Sequence, residues 1–342
     1  MLIRAVFLSF LLAGPGACKK EENLDITDDH MAYALGNLQF VCVKESEHLP
    51  PVSESAQNLY DYALFLHSGF GKKDYELIAR FYRLAYAAGS YKAGTNLHTL
   101  ISQGLIKSDH PGREVIDIVE ELIAAGVPGG YYDMGHYLEL GFGVKQDTSR
   151  AHAYFRRAAD LGNPDAQFYV SKLLEGIRSA KQVVLDMRRC AMNQGHAQSA
   201  FNYGIFLKVR HSYPEAIEGF QAGARNGHGI SAGFLSGGFA TPDPKDRLYY
   251  FALTEDPERS RRYKKINEFL RRYEDFGARV PDIDNIVPLP PAKLPDWDGT
   301  FEWLKKRDST PPPERPSEEM IRELSQEKGL DPETGLPLSK HQ

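Results

Sequence analysis

The chain has 342 residues, 42% of them apolar and 25% charged, which is material for one large or two ordinary globular domains and excludes wholesale disorder. Its formal net charge of -5 provides no overall basic field of the kind that condenses onto nucleic acid. No nucleic-acid partner is therefore expected.

In chain order, residues 1–18 read MLIRAVFLSFLLAGPGAC. Arg4 precedes an apolar run from Ala5 to Ala13 that is too short to span a membrane as a mature helix, so a secretory signal peptide is expected. Gly16 and Ala17 lead into Cys18, an arrangement that resembles a bacterial lipoprotein signal, with Pro15 where that family prefers Leu. The resemblance implies that Cys18 is lipidated and becomes the N-terminus, so that the membrane is a partner through it. Lys19, where inner-membrane retention in that family favours an acidic residue, implies periplasmic residence with attachment to the outer membrane. An ordinary cleaved signal with an incidental cysteine is the alternative.

Residues 19–55 form an N-terminal segment before the periodic region. Of the remaining cysteines, Cys42 and Cys190 lie far apart, and a buried free thiol is expected for each, since cysteine buries readily as a small hydrophobe. An oxidising compartment would nonetheless permit their pairing. No two cysteines have the close spacing of a zinc site.

Residues 56–245 carry a repeat. Five segments end on Gly89, Gly126, Gly162, Gly195 and Gly227, at spacings of 37, 36, 33 and 32 residues. Such periods indicate helical units that cannot bury their apolar faces alone and must stack. In the third unit Ala151, Tyr154, Phe155, Ala158 and Ala159 share one helical stripe, with Arg156, Arg157 and Asp160 on the other side. Each terminal glycine is expected to end its helix in the left-handed conformation. A second helix in each unit, such as YYDMGHYLELG, completes a helix, loop, helix, glycine module. The predicted fold class is all-α, an α-solenoid of helix-turn-helix repeats with a capping helix and an extended Pro-rich C-terminal tail.

The third unit resembles the Sel-one-like repeat family, relatives of tetratricopeptide repeats. The residues that carry this are Met134-Gly135, Leu138, Gly141, Gly143, Val144, Asp147, Ala151, Tyr154, Phe155, Ala158, Ala159 and Gly162, whereas other units keep one glycine and lose the pair. The resemblance implies a protein-binding scaffold.

Chemistry is harder to find. The pair Gly141-Phe142-Gly143 sits between helices and lacks the Lys-Ser or Lys-Thr and the preceding strand of a phosphate loop, so a turn is expected. His136 and Glu139, three residues apart, can share a helical face, but a metal needs a third converging ligand. No catalytic residue, metal or cofactor is expected, and the chain is read as a non-enzyme. Contacts to a protein partner are expected from Tyr91, His98, Tyr131, Tyr132, His136 and Glu139, where aromatic side chains would carry most of the energy if buried by a partner.

Residues 246–280 hold the expected capping helix, with Tyr263, Ile266, Phe269, Leu270 and Tyr273 as an apolar stripe and Arg259, Arg261, Arg262, Lys264, Lys265, Arg271 and Arg272 around it as solvated charge, a basic surface for an acidic partner or lipid phosphates being the alternative. Residues 281–342 contain 11 of the 21 prolines and both tryptophans, Trp297 and Trp303. That segment is expected to dock on the chain's own repeats in preference to a partner, although the two tryptophans are also candidate partner contacts. Past Pro311 the chain turns polar, and its end, GLDPETGLPLSKHQ, reads as turns or disorder.

Over nearly its whole length the chain is similar to a family of bacterial periplasmic repeat proteins, by its lipoprotein-like start, FVCVKESEHLPPVSESAQNLYDYALFL, and LPPAKLPDWDGTFEW. Several of its members resemble immunity proteins encoded beside type VI secretion phospholipase effectors, notably of the phospholipase D class. The resemblance implies an immunity protein that covers such an effector's active site. An envelope scaffold or regulator that assembles a complex is the alternative.

Overall fold

The computed structural model describes residues 36–69, 71–240 and 243–338. Cys18, the expected lipidation site, lies outside the described residues. Among those described there are fifteen α-helices and no strand, with one isolated bridge between Leu330 and Pro337. None of these helices is long and apolar enough to cross a membrane. The fold class is all-α, built from helical repeats.

The chain divides into two compact units. In the one formed by residues 36–199 and 306–338, helices pair in sequence order. These are α1 (Glu54–Ser68) with α2 (Tyr75–Ala87), α3 (Tyr91–Ser102) with α4 (Pro111–Ala124), α5 (Pro128–Leu140) with α6 (Thr148–Asp160), and α7 (Pro164–Leu173) with α8 (Lys181–Asn193). Local chemistry sets their ends. Ser53, Asp74, Asp147 and Asn163 accept hydrogen bonds from first-turn amides, satisfying donors that have no helical partner. Pro111, Pro128 and Pro164 occupy first helical positions, where a missing N–H costs nothing. The five repeat-ending glycines all have positive φ, from 78° to 104°, as a left-handed stop requires. Tyr154, Phe155, Ala158 and Ala159 are fully buried, and each large side chain removed from water contributes about 1.5–3 kcal/mol.

Cys42 and Cys190 form a disulfide, with Cα atoms 5.6 Å apart, which corrects the expectation of free thiols. The reason is a strap. Residues 37–47 run across the later repeats of this unit, and Arg156 donates from Nη1 to the Asn37 carbonyl at 2.5 Å and from Nη2 to that of Gln39. Further along, Gln167 donates to the Val43 carbonyl at 3.2 Å, and the Glu45 amide donates to Gln194 Oε1 at 2.8 Å. Arg156, expected opposite the apolar stripe of its helix, thus lies beneath the strap at only 5% exposure and pairs there with Asp160.

The C-terminal residues are also folded, and the described part of the end, residues 329–338, is made of turns held by the Leu330–Pro337 bridge. Helix α15 (Glu318–Lys328) is capped by Ser317 and ends at Gly329 in the left-handed region. It packs on α2. Arg80 Nε donates to the Pro332 carbonyl at 2.7 Å and Arg83 Nη1 to that of Thr334 at 3.2 Å.

The other unit comprises residues 200–305 and includes most of α9 (Ala197–Lys208), α10 (Tyr213–Arg225), α11 (Gly229–Ala240), α12 (Pro257–Arg272), the single turn α13 (Ile283–Ile286) and the start of α14 (Glu302–Ser309). Helix α12, expected as a lone cap, packs along α11 as the second member of another pair, with Phe239 stacked on Tyr263. Two of its arginines are not solvated charges. Arg262 donates to the carbonyls of Ile286 and Pro295 at 2.6 and 2.8 Å, and Arg259 to that of Pro288 at 3.3 Å. The proline-rich chain therefore docks on α12 through its backbone carbonyls. This is a use of arginine that helical periodicity does not reveal.

Candidate partner-binding surface

Tyr132, His136 and Glu139 of α5 are brought together with Phe155 of α6 and Tyr169 of α7. The His136 ring centroid lies 4.6 Å from that of Tyr132, 4.8 Å from Phe155 and 5.2 Å from Tyr169, and Phe155 lies 4.4 Å from Tyr169. Phe155 is fully buried, while Tyr132, His136 and Tyr169, packed against it, are half-buried. Gly135 permits this, since a Cβ there would fall 2.6 Å from the Phe155 ring. Glu139 stands at the rim. Its Oε1 accepts from the Tyr169 hydroxyl at 2.8 Å, and its Oε2 lies 3.4 Å from His136 Nδ1. Burial first, and then the neighbouring carboxylate, push the Tyr169 phenol well above its ordinary value, so the hydroxyl stays a neutral donor.

The other expected contacts fall elsewhere. His98 is 3% exposed and Tyr131 6%, which places both in the interior and not on a partner-facing surface. His98 bridges Tyr137 Oη at 2.9 Å and Asp133 Oδ2 at 3.0 Å, tying α3 to α5. Tyr131 packs near Tyr154. Both are interior because their helical phase points between repeats, a distinction that sequence spacing alone does not make. Tyr91 is half-buried near the ammonium of Lys92. Trp297 and Trp303 lie in the unit of residues 200–305. There Trp297 donates its indole N–H to the Thr300 carbonyl at 2.8 Å and lies near Arg262 and Lys265, and Trp303 packs against Phe269 and Tyr273. Both tryptophans pack on the chain itself, on α12 and its end and not on the repeats of residues 56–245 expected to receive them, and remain half-buried.

Sequence reasoning missed Tyr169 as a site residue. A signal was present, because Phe168-Tyr169 follows Pro164 in α7 much as Tyr131-Tyr132 follows Pro128 in α5. Among the described residues no group of three or more His, Cys, Asp or Glu side chains could hold a metal ion. The assembled chemistry is that of recognition: aromatic area, one fixed carboxylate and one fixed hydroxyl.

Beside this surface, Glu45 of the strap accepts from Asn163 Nδ2 at 2.7 Å. Burial raises its pKa above the ordinary 4.5; the Asn163 hydrogen bond opposes this, and the charges of Asp165 and Asp133 add to it. The folded state therefore binds this proton more tightly than the unfolded chain does. Stability contributed here is full below pH 4.5 and declines as pH rises through the raised folded value. Glu45→Gln keeps the acceptor for Asn163 and removes the charge. The variant should match the wild type in urea unfolding below pH 4.5 and exceed it at neutral pH; equal midpoints at both would refute the assignment.

Comparison with known proteins adds family and fold. Residues 128–163, which hold α5 and α6, match the family model of the Sel1 repeat, and residues 231–338 match that of a domain of unknown function (DUF6396). Among solved structures the chain is similar to immunity protein Pa5087 from Pseudomonas aeruginosa, at 29% identity over 74% of this chain and 95% of that one, with a TM-score of 0.59. It is also similar to immunity protein PA5088 from the same organism, at 27% identity over 74% and 94%, with a TM-score of 0.60. No curated protein matches it.

Proposed function

We propose that this Sel1-repeat chain is an exported immunity protein that binds and neutralises a secreted phospholipase effector of the phospholipase D class, delivered by type VI secretion, by covering its active site. The observation that carries the reading is the fold-wide similarity, at 27–29% identity, to proteins described as immunity proteins. The Cys42–Cys190 disulfide favours the periplasm, because such bonds persist in oxidising compartments. Attachment to the outer membrane through lipidated Cys18 would hold the antidote where a lipid-degrading toxin acts. Packed helical repeats present a rigid surface, so inhibition needs no chemistry from this chain.

Co-expression with the effector encoded beside it, directed to the periplasm, tests the reading. Cells should survive with the exported chain and die when its signal is removed; equal death in both cases would refute it. Cys18→Ser should shift the protein from membrane to soluble fractions, and unchanged fractionation would refute lipidation. Tyr132→Ala with Tyr169→Ala should weaken effector binding by about 2 kcal/mol or more, as for aromatic anchors at interface centres. Calorimetry that gave wild-type affinity would move the interface off this surface.

A further inference from the structure

The half-buried surface formed by Tyr132, His136, Glu139 and Tyr169 has a chemistry that selects its occupant. We propose that it receives an arginine guanidinium of the partner protein, with the Glu139 carboxylate as its anchor and the surrounding rings as its stacking faces. The inference rests on the protein-binding reading above and states which side chain that partner must bring.

Three observations carry it. First, the carboxylate is fixed before any partner arrives. Tyr169 Oη donates to Oε1 at 2.8 Å, and His136 Nδ1 lies 3.4 Å from Oε2. A group held in place loses little conformational freedom on binding. Second, Glu139 remains 32% exposed and His136 33%, so the outward lone pairs face solvent. A partner that covered them with apolar atoms would strip water from a charge and return no hydrogen bond, which is costly. A carboxylate or phosphate would add like-charge repulsion. The occupant must donate. Third, Tyr169 and His136 both reach the carboxylate, and Tyr132 and the buried Phe155 pack on the His136 ring. Aromatic faces beside an acid suit a planar cation that can stack and donate together. Guanidinium does both, whereas ammonium is a compact, strongly hydrated point charge.

Local charge agrees. Helix α5 carries Asp133 and Glu139 and no Lys or Arg between Pro128 and Leu140. On α7 the cation in this stretch is Lys172, whose ammonium lies 5.9 Å from the Phe168 ring centroid. A guanidinium approaching this surface therefore meets the Glu139 carboxylate with no cation of α5 beside it.

The test uses a small probe, so that it does not depend on which effector is the partner. N-acetyl-arginine methylamide is titrated into the purified exported chain at millimolar concentrations and mildly alkaline pH, and the ring signals of Tyr132, His136 and Tyr169 are followed by NMR. These signals should move saturably. The norleucine and glutamate analogues should leave them unmoved, and the lysine analogue should bind more weakly. Glu139→Gln, which retains the acceptor for Tyr169, should weaken the arginine probe at least about tenfold, since a charge-assisted bond becomes neutral. Unmoved signals with the arginine probe, or equal affinity in Glu139→Gln, would overturn the proposal. The effector then separates the two readings. If it binds wild type and Glu139→Gln equally, arginine recognition fails and immunity stands. If it binds neither while the arginine probe still binds, immunity fails and arginine recognition stands.

Discussion

The paired substitution Cys42→Ser with Cys190→Ala is expected to lower the stability of the chain by about 2–5 kcal/mol, the range for loss of a native disulfide. The bond joins residues 148 apart. In the chain-entropy account, restraining so long a loop in the unfolded state is near the upper end of what one crosslink does. Cys190 is 1% exposed, so alanine is the better replacement there, because serine would leave a buried hydroxyl to satisfy. Cys42 lies on the exposed part of the strap and tolerates serine. The strap is otherwise held by a few hydrogen bonds, donated by Arg156, Gln167 and Asn163 and accepted by Gln194, each worth about 1 kcal/mol net, or about 1.5–3 kcal/mol where a charged group takes part. Losing the crosslink should therefore also free the strap locally. Urea unfolding should show a lowered midpoint for the variant, and reductant should bring the wild type down to the same value while leaving the variant unmoved. Hydrogen exchange should speed up at the Glu45 amide in both. A wild type whose midpoint resists full reduction would show that the bond does not stabilise the fold.

Gly143→Ala should cost about 2–5 kcal/mol, the sum of two separate penalties. At φ 72° a side chain meets its own carbonyl, at about 1–2 kcal/mol. An added Cβ would also collide with the Gly112 carbonyl and come within 2.7 Å of Ile116 Cγ1, and overpacking of this kind costs about 1–3 kcal/mol. Gly71 provides the control. It too has positive φ, 87°, but a Cβ there meets nothing within 4 Å. Gly71→Ala should therefore show the conformational penalty alone. If the two variants unfold at the same urea concentration, the close approach of the α5–α6 loop to the start of α4 contributes nothing. If they differ, the excess measures the contact between successive repeats.

That contact explains the glycine pair in the third unit. Gly141 closes α5 in the left-handed region, and Gly143 lets the loop backbone lie against Gly112 of the preceding repeat. Neither role involves a phosphate. The two glycines are joinery between units.

Much of the helical array was legible in the sequence because its causes are local. Capping residues, prolines at first helical positions and glycines at repeat ends act within a few residues, and the apolar stripe of α6 follows from a 3.6-residue period. The candidate surface was legible in part: Tyr132, His136 and Glu139 share a face of one helix, but Tyr169 reaches them from the next repeat. His98 and Tyr131 show the limit, since periodicity separates apolar from polar faces and does not tell a free face from one closed by a neighbouring helix.

By itself, then, the sequence determined the repeat, the helix ends and the helical class, all of which rest on interactions within a few residues. Tertiary structure alone decided the strap, the disulfide, the seat of the C-terminal residues on α2, and the burial of Arg80, Arg156, Arg259 and Arg262. In each of these a charged or polar side chain is satisfied by backbone carbonyls distant in sequence. Any segment can offer a carbonyl oxygen, so residue identity carries no trace of which segment does, and only the folded chain makes the choice.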